Sequence, residues 1–207
     1  MSTRRKRSVL ATLATLAALT SLAAVATGAG AGAGAGAGED AGEFDRLMAL
    51  LAQRRHGLAD FEQTQYLSVL KQPTHSTGVL SYDAPDHLEQ RTLKPRPQSV
   101  VLDHGMLSMQ VGTHQRTVSL QEYPLIAPLI DSVRATLAGD RAALEQRFQI
   151  DFEGDLEHWQ LRLRPLDPKL AAIVQRIGLS GQRDAVLQVE VQQSDGDHSL
   201  MKITPRE

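Results

Sequence analysis

Short runs with a two-residue apolar period make up most of this chain, and turn residues separate most of them. The stretch STGVLSYDAP is one example, in which Gly78, Leu80 and Tyr82 lie on one side of a strand. A strand of this kind needs a cover on its apolar face. Whether that cover is ordinary protein core or a bound apolar ligand is the functional question that the sequence poses.

Ten segments are predicted to be strands, six of them in succession. The succession favours an antiparallel meander, because short turns connect antiparallel neighbours. The predicted strands are Leu58 to Leu70, Gly78 to Tyr82, His87 to Leu93, Ser99 to Asp103, Leu107 to Val111, Arg116 to Gln121, FQIDFEG, HWQLRLRP, Ala185 to Val191 and Ser199 to Thr204.

Three longer segments have helical spacing instead. EFDRLMALLAQRR predicts an amphipathic helix that ends before Gly57. In YPLIAPLIDSVRATLAGD, Pro124 suits a first turn and Gly139 a helix end. LDPKLAAIVQRIG predicts a helix that begins after the cap Asp167 and stops at Gly178. The apolar sides of these helices are Phe44, Leu47, Met48 and Leu51; Leu125, Ile126, Leu129, Ile130, Val133 and Leu137; and Leu170, Ile173, Val174 and Ile177.

Strands in runs with a few inserted helices predict the α+β class. A further short helix is expected from the cap Asp140 through Phe148. The order favours one curved antiparallel sheet, and the helices must cover one face of it. The sequence does not decide which strand face meets the helices, because that depends on register.

The N-terminal residues are typical of an export signal. Arg4 to Arg7 precede an uncharged Ala, Leu and Val run, and Ala24 to Ala26 supplies small residues for cleavage. We therefore expect a signal peptide over 1–26, a flexible Gly/Ala-rich spacer over 27–42 and one domain over 43–207. An uncleaved membrane anchor from Ser8 to Gly28 is the alternative. In both cases the domain lies outside the cytoplasm, and we expect the periplasm.

Charge and cysteine content exclude several classes of function. From Glu39 onward the chain has 18 basic and 24 acidic residues, a formal net charge of −6, whereas a nucleic-acid partner requires a basic surface. The chain has no Cys. This excludes thiol catalysis, thiolate metal sites and lipidation of the chain at Cys.

The seven His residues are the obvious candidates for catalysis, and three of them directly follow an Asp: His87, His104 and His198. On a strand, adjacent side chains point to opposite faces, so such an Asp cannot orient its His. In a turn it can, but no nucleophile motif, metal-binding helix or phosphate loop accompanies the pairs. We therefore expect no catalytic residue, no metal site, no cofactor and no enzyme activity.

Several of these segments together resemble a known family. DFEQTQYLSVLKQPTHSTGVLSYDAPDHLEQRT, then VLDHGMLSMQ, then YPLIAPLIDSV are similar in order and kind to the periplasmic outer-membrane lipoprotein carrier family, the LolA-like proteins. The shared series is a Phe-x-Gln strand after an N-terminal helix, a Gly-x-Leu-x-Tyr strand ending at x-Pro, a strand ending near Asp103, and a Pro-led helix. The resemblance covers Phe44 to Thr204.

The resemblance implies a half-open, strongly curved antiparallel sheet, an incomplete barrel, whose concave face is covered by helices and holds acyl chains. The residues expected to line that cavity are Leu80, Tyr82, Leu102, Leu107, Met109, Leu129, Ile130, Trp159, Leu161, Leu163, Ile173 and Ile177. A plain hydrophobic core remains the alternative for each of them, since core packing is the usual role of such faces.

The chain also departs from the family in one place. Ala84 stands where the lipoprotein carriers have an Arg that helps to hold the helical lid shut, and Leu88 and Gln90 stand among positions where they have aromatic residues. This indicates a divergent member, of the kind expected beside lipid or polyene export systems.

The functional hypothesis is therefore a non-catalytic periplasmic carrier or acceptor of a lipid or acylated molecule. An inner-membrane transporter is a further expected partner, and a monomer is the expected state. The alternative hypothesis is a non-enzymatic adaptor subunit of an inner-membrane lipid or polyene exporter, in which the sheet face is fully packed.

Overall fold

A computed structural model describes residues 39–122 and 127–206. The predicted signal peptide and most of the predicted spacer lie outside the described residues. The first helix begins at Glu39, inside the segment predicted to be spacer. No helix among the described residues is both long enough and apolar enough to cross a membrane.

The described chain contains four α-helices, one short 3₁₀ helix and eleven strands. The helices are α1 (Glu39–Leu51), α2 (Ala127–Leu137), α3 (Arg141–Glu145) and α4 (Pro168–Ala171), and the 3₁₀ helix is Leu120–Glu122. The strands are β1 (His56–Tyr66), β2 (Thr74–Asp83), β3 (His87–Lys94), β4 (Gln98–Asp103), β5 (Met106–Val111), β6 (His114–Ser119), β7 (Phe148–Gly154), β8 (Trp159–Pro165), β9 (Val174–Gln182), β10 (Ala185–Gln193) and β11 (His198–Pro205).

All eleven strands form one antiparallel sheet in the order β6-β5-β4-β3-β2-β1-β11-β10-β9-β8-β7. The sheet consists of two meanders, β1 to β6 and β7 to β11, which are joined where β1 pairs with β11. The outermost strands β6 and β7 do not pair with each other, so the sheet stays open. The α+β class and the half-open antiparallel sheet are confirmed.

The sheet curves strongly around one face. Leu102 of β4 and Leu179 of β9 line the same cavity, although six strand-to-strand steps separate their strands. At about 4.8 Å per step, a flat sheet would hold them about 29 Å apart. The curvature makes this face concave, and helix α2 lies over it through Ile130 and Val133.

The concave face carries two separate groups of buried apolar side chains. The large cluster joins α1 to β7, β8, β9 and β10, and the small cluster joins β4, β5 and β6 to α2. The large cluster contains Phe44, Leu47, Met48, Leu51, Ala135, Leu144, Phe148, Trp159, Leu161, Leu163, Leu170, Val174, Ile177, Leu179, Val186, Val189 and Val191. The small cluster contains Val100, Leu102, Leu107, Met109, Val118, Leu120 and Ile130.

Between the clusters, β1 and β2 place three small residues, Gly57, Ala59 and Gly78, on the same face. Gly57 lies opposite Tyr82, Ala59 opposite Leu80, and Phe61 opposite Gly78. The Phe61 ring lies so close to Gly78 that a Cβ there would be 2.7 Å from it. Small residues at the centre of a curved sheet leave space that the two clusters do not fill.

One predicted helix is mostly a strand. Asp167 and Pro168 begin α4 as expected, with Asp167 Oδ1 accepting from the Lys169 and Leu170 amides at 2.6 and 3.3 Å. The helix ends at Ala171, and β9 then begins at Val174 between β8 and β10. The prediction was wrong here because the apolar pattern in AAIVQRIG fits a helix period and a buried strand equally well.

Two other boundaries also differ from the prediction. The helix after the cap Asp140 ends at Glu145, and Phe148 begins β7 instead of closing the helix. Strand β1 ends at Tyr66, and the connecting segment includes Val69, which is 85% exposed. Its Ser68 amide donates to Asp197 Oδ1 at 2.7 Å, so this loop is held by the β10–β11 turn instead of extending the strand.

We predict that truncating a fully buried leucine in either cluster destabilises the fold strongly. Leu161→Ala and Leu107→Ala should each lower the free energy of unfolding by about 2–5 kcal/mol, because each leaves a cavity. Urea denaturation measures the change. Leu93→Ala, at a half-exposed leucine on the opposite face, is the control and should stay within about 0.5 kcal/mol of the parent. Equal losses at all three positions would contradict the assignment of the two clusters.

Candidate functional site

An apolar cavity lies on the concave face between the two clusters. Its floor includes Ala59, Leu80 and Pro205 of the central strands, and its roof consists of Ile130, Val133 and Leu137 of α2. The full set of lining residues is Arg54, Gly57, Leu58, Ala59, Leu80, Ser81, Tyr82, Leu88, Glu89, Gln90, Leu102, Ile130, Val133, Leu137, Leu179, Asp184, Val186, Val189, Ile203 and Pro205.

The cavity is large enough for a small apolar ligand. About 130 Å³ is open to the centres of water-sized molecules. The centre of one water needs about 10–15 Å³ of such space, so the cavity has room for about ten waters. Ten waters occupy about 300 Å³ in the liquid. That volume is at the lower end of the range of small-molecule sites.

Helix α2 can roof the cavity because of its residue spacing. Ile130, Val133 and Leu137 recur at the three- and four-residue intervals that place side chains on one helix face. The helix ends as the sequence predicts, since Gly139 has φ +65° and a Cβ there would be 2.1 Å from the Met48 carbonyl oxygen. Only glycine meets both requirements, so the end of the roof is fixed against α1.

A pair of charged residues lies at the rim of the cavity. Arg54, after α1, donates from Nη1 to the Asp184 carbonyl oxygen at 2.8 Å, and its guanidinium is 3.6 Å from the Asp184 carboxylate. Arg54 therefore links the start of β1 to the β9–β10 turn. Arg54 also brings a cation to this rim of the cavity.

Two polar side chains lie within the apolar wall. Tyr82 and Gln90 are 6% and 3% exposed, and the Tyr82 hydroxyl and Gln90 Oε1 have no hydrogen-bond partner among the described residues. Burial raises the pKa of the Tyr82 phenol, while the charges of Arg55 and Arg134 lower it and that of Asp86 raises it. The phenol therefore stays neutral at physiological pH. Buried polar atoms without partners are uncommon in folded proteins.

Four of the twelve predicted lining residues line the cavity: Leu80, Tyr82, Leu102 and Ile130. Leu107 and Met109 lie in the small cluster. Trp159, Leu161, Leu163 and Ile177 lie in the large cluster, and Ile173 packs against it. The side chain of Leu129 is outside the described part of the structure. The predicted residues of β5, β8 and β9 therefore form core around the cavity.

Most of the C-terminal half of the cavity wall was not predicted from the sequence. Val186, Val189 and Ile203 reach the cavity because β10 and β11 continue the sheet beyond β1. Val189 and Ile203 alternate with polar neighbours, a signal that could have marked them as inward-facing, but the period gives no partner strand. Val186 reaches the same face because a register shift lies between Val186 and Gln188. Val133 and Leu137 were predicted on the apolar side of their helix, and that signal could have identified them as the roof.

The histidines are at the surface. The β4–β5 hairpin turns at His104 and Gly105, which both have positive φ, as a two-residue type I′ turn requires. The Asp103 carboxylate is 3.0 Å from His104 Nδ1 and 3.3 Å from His87 Nδ1. His198 stacks on Tyr66 at 4.5 Å between ring centroids. Within 39–122 and 127–206, no cluster of three or more His, Cys, Asp or Glu is placed to hold a metal ion.

Comparison with known families decides the classification. The family described as outer membrane lipoprotein carrier protein LolA-like matches residues 34–203. The chain belongs to this LolA-like family. The match confirms the resemblance seen in the sequence, and the family's name indicates a binding or carrier role.

Solved structures with a similar fold are distant in sequence. A LolA superfamily protein from Nitrosomonas europaea is 9% identical, covers 81% of this LolA-like chain and 94% of its own, and has a TM-score of 0.44. An outer membrane lipoprotein-sorting protein domain from Vibrio parahaemolyticus is 9% identical over 80% and 89%, with a TM-score of 0.40. The MucA/MucB complex of Pseudomonas aeruginosa gives 14% identity over 80% and 56%, with a TM-score of 0.45. A search of curated proteins found no match.

Asp103, His104 and His87 form a surface cluster whose contribution to stability depends on pH. Hydrogen bonds from His104 first, and then from His87, lower the pKa of Asp103, and Asp103 raises the pKa of His104. The Asp103–His104 pair therefore stabilises the fold while both groups are charged. That contribution is lost as pH rises through the raised pKa of His104, and as pH falls through the lowered pKa of Asp103.

We expect Asp103→Asn to move the pKa of His104 down toward 6.5, its ordinary value. Titration of the histidine ring protons by NMR measures the change. Asp195→Asn, in the β10–β11 turn, is the matched control and should leave the His104 pKa unchanged. A parent His104 that already titrates at 6.5 or below would show that the hydrogen bond does not form in solution.

Proposed function

We propose that this LolA-like protein is a non-catalytic carrier or acceptor of a lipid or acylated molecule in the periplasm. An acyl chain occupies the cavity between the central strands and α2. The observation that supports the proposal is the unfilled apolar space between two clusters that are otherwise well packed. A plain core would close that space, because interiors are normally packed to crystal-like density.

The size of the cavity sets the affinity that such a carrier can reach. A methylene group is similar in size to a water molecule, so about ten methylenes fit in the enclosed space. At about 0.8 kcal/mol each, their transfer from water gains about 8 kcal/mol, which corresponds to micromolar binding. A membrane offers the same gain per methylene. Transfer between protein and bilayer is therefore nearly balanced, as a carrier requires.

The proposed setting follows from the N-terminal residues and the charge. The segment 1–26 acts as the signal peptide, 27–42 links it to the domain over 43–207, and the mature protein works as a monomer in the periplasm. An inner-membrane transporter is the proposed donor or acceptor of the cargo. No metal, cofactor or nucleic acid takes part. The alternative, an exporter adaptor with a fully packed sheet face, is disfavoured by the unfilled cavity.

The decisive experiment is native mass spectrometry of the protein purified from a Gram-negative periplasm without detergent. We expect a stoichiometric lipid or acylated species, which organic extraction then identifies. A protein that is recovered free of ligand, and stays free after incubation with labelled acyl lipids, would contradict the carrier and favour the adaptor.

A matched pair of variants then tests whether the cargo lies in the cavity. Leu80→Asp places a carboxylate on the floor, and we expect at least about a tenfold loss of bound lipid, because an unpaired charge cannot be buried against an acyl chain. Leu93→Asp makes the same change on the opposite face and should retain the lipid. Circular dichroism confirms folding of both variants. Equal retention by the two would place the cargo elsewhere.

A second variant fills the cavity with an apolar side chain instead of placing a charge in it. Val133→Trp adds an indole to the roof, where the empty space can accept it. We expect unchanged or slightly higher thermal stability, because added apolar contacts offset the strain, and loss of acyl binding. A thermal melt and a lipid-binding titration together measure the result. Retention of full binding with a stable fold would contradict the proposed position of the chain.

A further inference from the structure

Tyr82 and Gln90 lie together on the concave face. In the register of β2 and β3, Leu80 is opposite Gln90 and Tyr82 is opposite Leu88. The two polar residues are therefore diagonal neighbours, about 7–8 Å apart along the sheet. The Tyr82 hydroxyl and Gln90 Oε1 are covered by neighbouring atoms, so a side-chain rotation has to bring them to a group in the cavity. Both contribute to the cavity wall.

The described residues that flank these two side chains in the sheet offer them no partner. Gln90 is flanked on the same face by Leu80 and Val100, and Tyr82 by Gly57 and Leu88. Glycine and aliphatic side chains cannot hydrogen-bond to either polar group. The Tyr82 hydroxyl and Gln90 Oε1 remain unpartnered among the described residues, although both residues are more than nine-tenths buried. An apo protein loses stability by burying such groups, so an apolar pair of the same shape would serve a plain core better.

The chemistry of the two groups defines what they can bind. Gln90 Oε1 only accepts a hydrogen bond, and the Tyr82 hydroxyl can donate one. A ligand group that satisfies both must therefore donate to Gln90 and accept from Tyr82. The residues that flank the pair in the sheet are aliphatic or glycine, so a neutral group between Gln90 and Tyr82 is favoured over a charged one, which would lose more hydration there.

We propose that the cargo has an acyl chain with a neutral donor–acceptor group, a hydroxyl or an amide, that hydrogen-bonds to Gln90 Oε1 and Tyr82. This inference rests on the proposed carrier function and adds selectivity to it. Unsubstituted chains leave both side chains unpaired, so the cavity discriminates against them, as sites built to hydrogen-bond a ligand group do.

The test is isothermal titration of the delipidated protein, as purified from the periplasm, at pH 7. The probes are dodecanoate, 3-hydroxydodecanoate, 12-hydroxydodecanoate and N-decanoylglycine. All four probes carry the same carboxylate, so differences in their affinities report the effect of the added neutral group. The two hydroxyl isomers differ in where the hydroxyl lies along the chain, so comparing them reports how deep in the cavity it binds. We expect at least one substituted probe to bind about tenfold more tightly than dodecanoate, which is the effect of about one good buried hydrogen bond. The identity of the preferred probe distinguishes a hydroxylated chain from an amide-linked one.

Two variants assign the preference to the pair. Gln90→Leu and Tyr82→Phe each remove one polar group with little change of shape, and each should reduce the preference to threefold or less while dodecanoate binds as well as before. Gln63→Leu is the matched control. Gln63 is also buried and its Nε2 has no partner among the described residues, but it does not line the cavity, so this variant should keep the preference.

Each outcome supports or overturns the inference. Dodecanoate binding with no substituted probe preferred by more than threefold overturns it and leaves the carrier function intact. A preference that survives in both Gln90→Leu and Tyr82→Phe also overturns it. Failure of the wild-type protein to bind any of the four probes removes the carrier function, and the inference with it.

Discussion

A wide sheet with one buried face needs more cover than the described helices provide. Eleven strands at about 4.8 Å spacing are about 48 Å across, whereas the two longest helices within 39–122 and 127–206 have 13 and 11 residues and are about 20 and 16 Å long. Curvature reduces the area to be covered but does not remove it. Helix α1 packs on one end of the sheet, and α2 spans the centre without packing down onto the small residues of β1 and β2. The cavity is a consequence of this shortage of helix.

Most of the strands and helix α2 could be predicted from the sequence, because local patterns determine local structure. The two-residue period located the strands and gave the inward side of Leu80 and Tyr82, and the three- and four-residue spacing with Gly139 gave α2. Pairing between distant strands could not be predicted, since the period indicates which way a side chain points but not which strand lies beside it. For that reason, Val189 and Ile203 could not be placed in the cavity wall from the sequence. The segment before Gly178 was misassigned because its apolar residues satisfy both periods.

The cavity combines two requirements that are usually in conflict. Under the proposed function, the protein must hold an apolar chain firmly enough to remove it from a bilayer and loosely enough to return it. Helix α2 suits that compromise, because its closest backbone neighbours are α1 and α3 and its contact with the sheet is made by side chains over the gap. The roof can therefore shift without breaking strand pairing, while Arg54 and Asp184 hold the rim between α1 and the β9–β10 turn.

The pairing of β1 with β11 also has a consequence for the order of folding. Arg206 and Asp60, which form an ion pair at this seam, are 146 residues apart in the chain. Contacts between such distant residues form late, because a long loop must be closed first. Since the floor of the cavity contains residues of both strands, no cavity exists until the last strand is in place. Under the proposed carrier function, only the completed fold could therefore take up cargo.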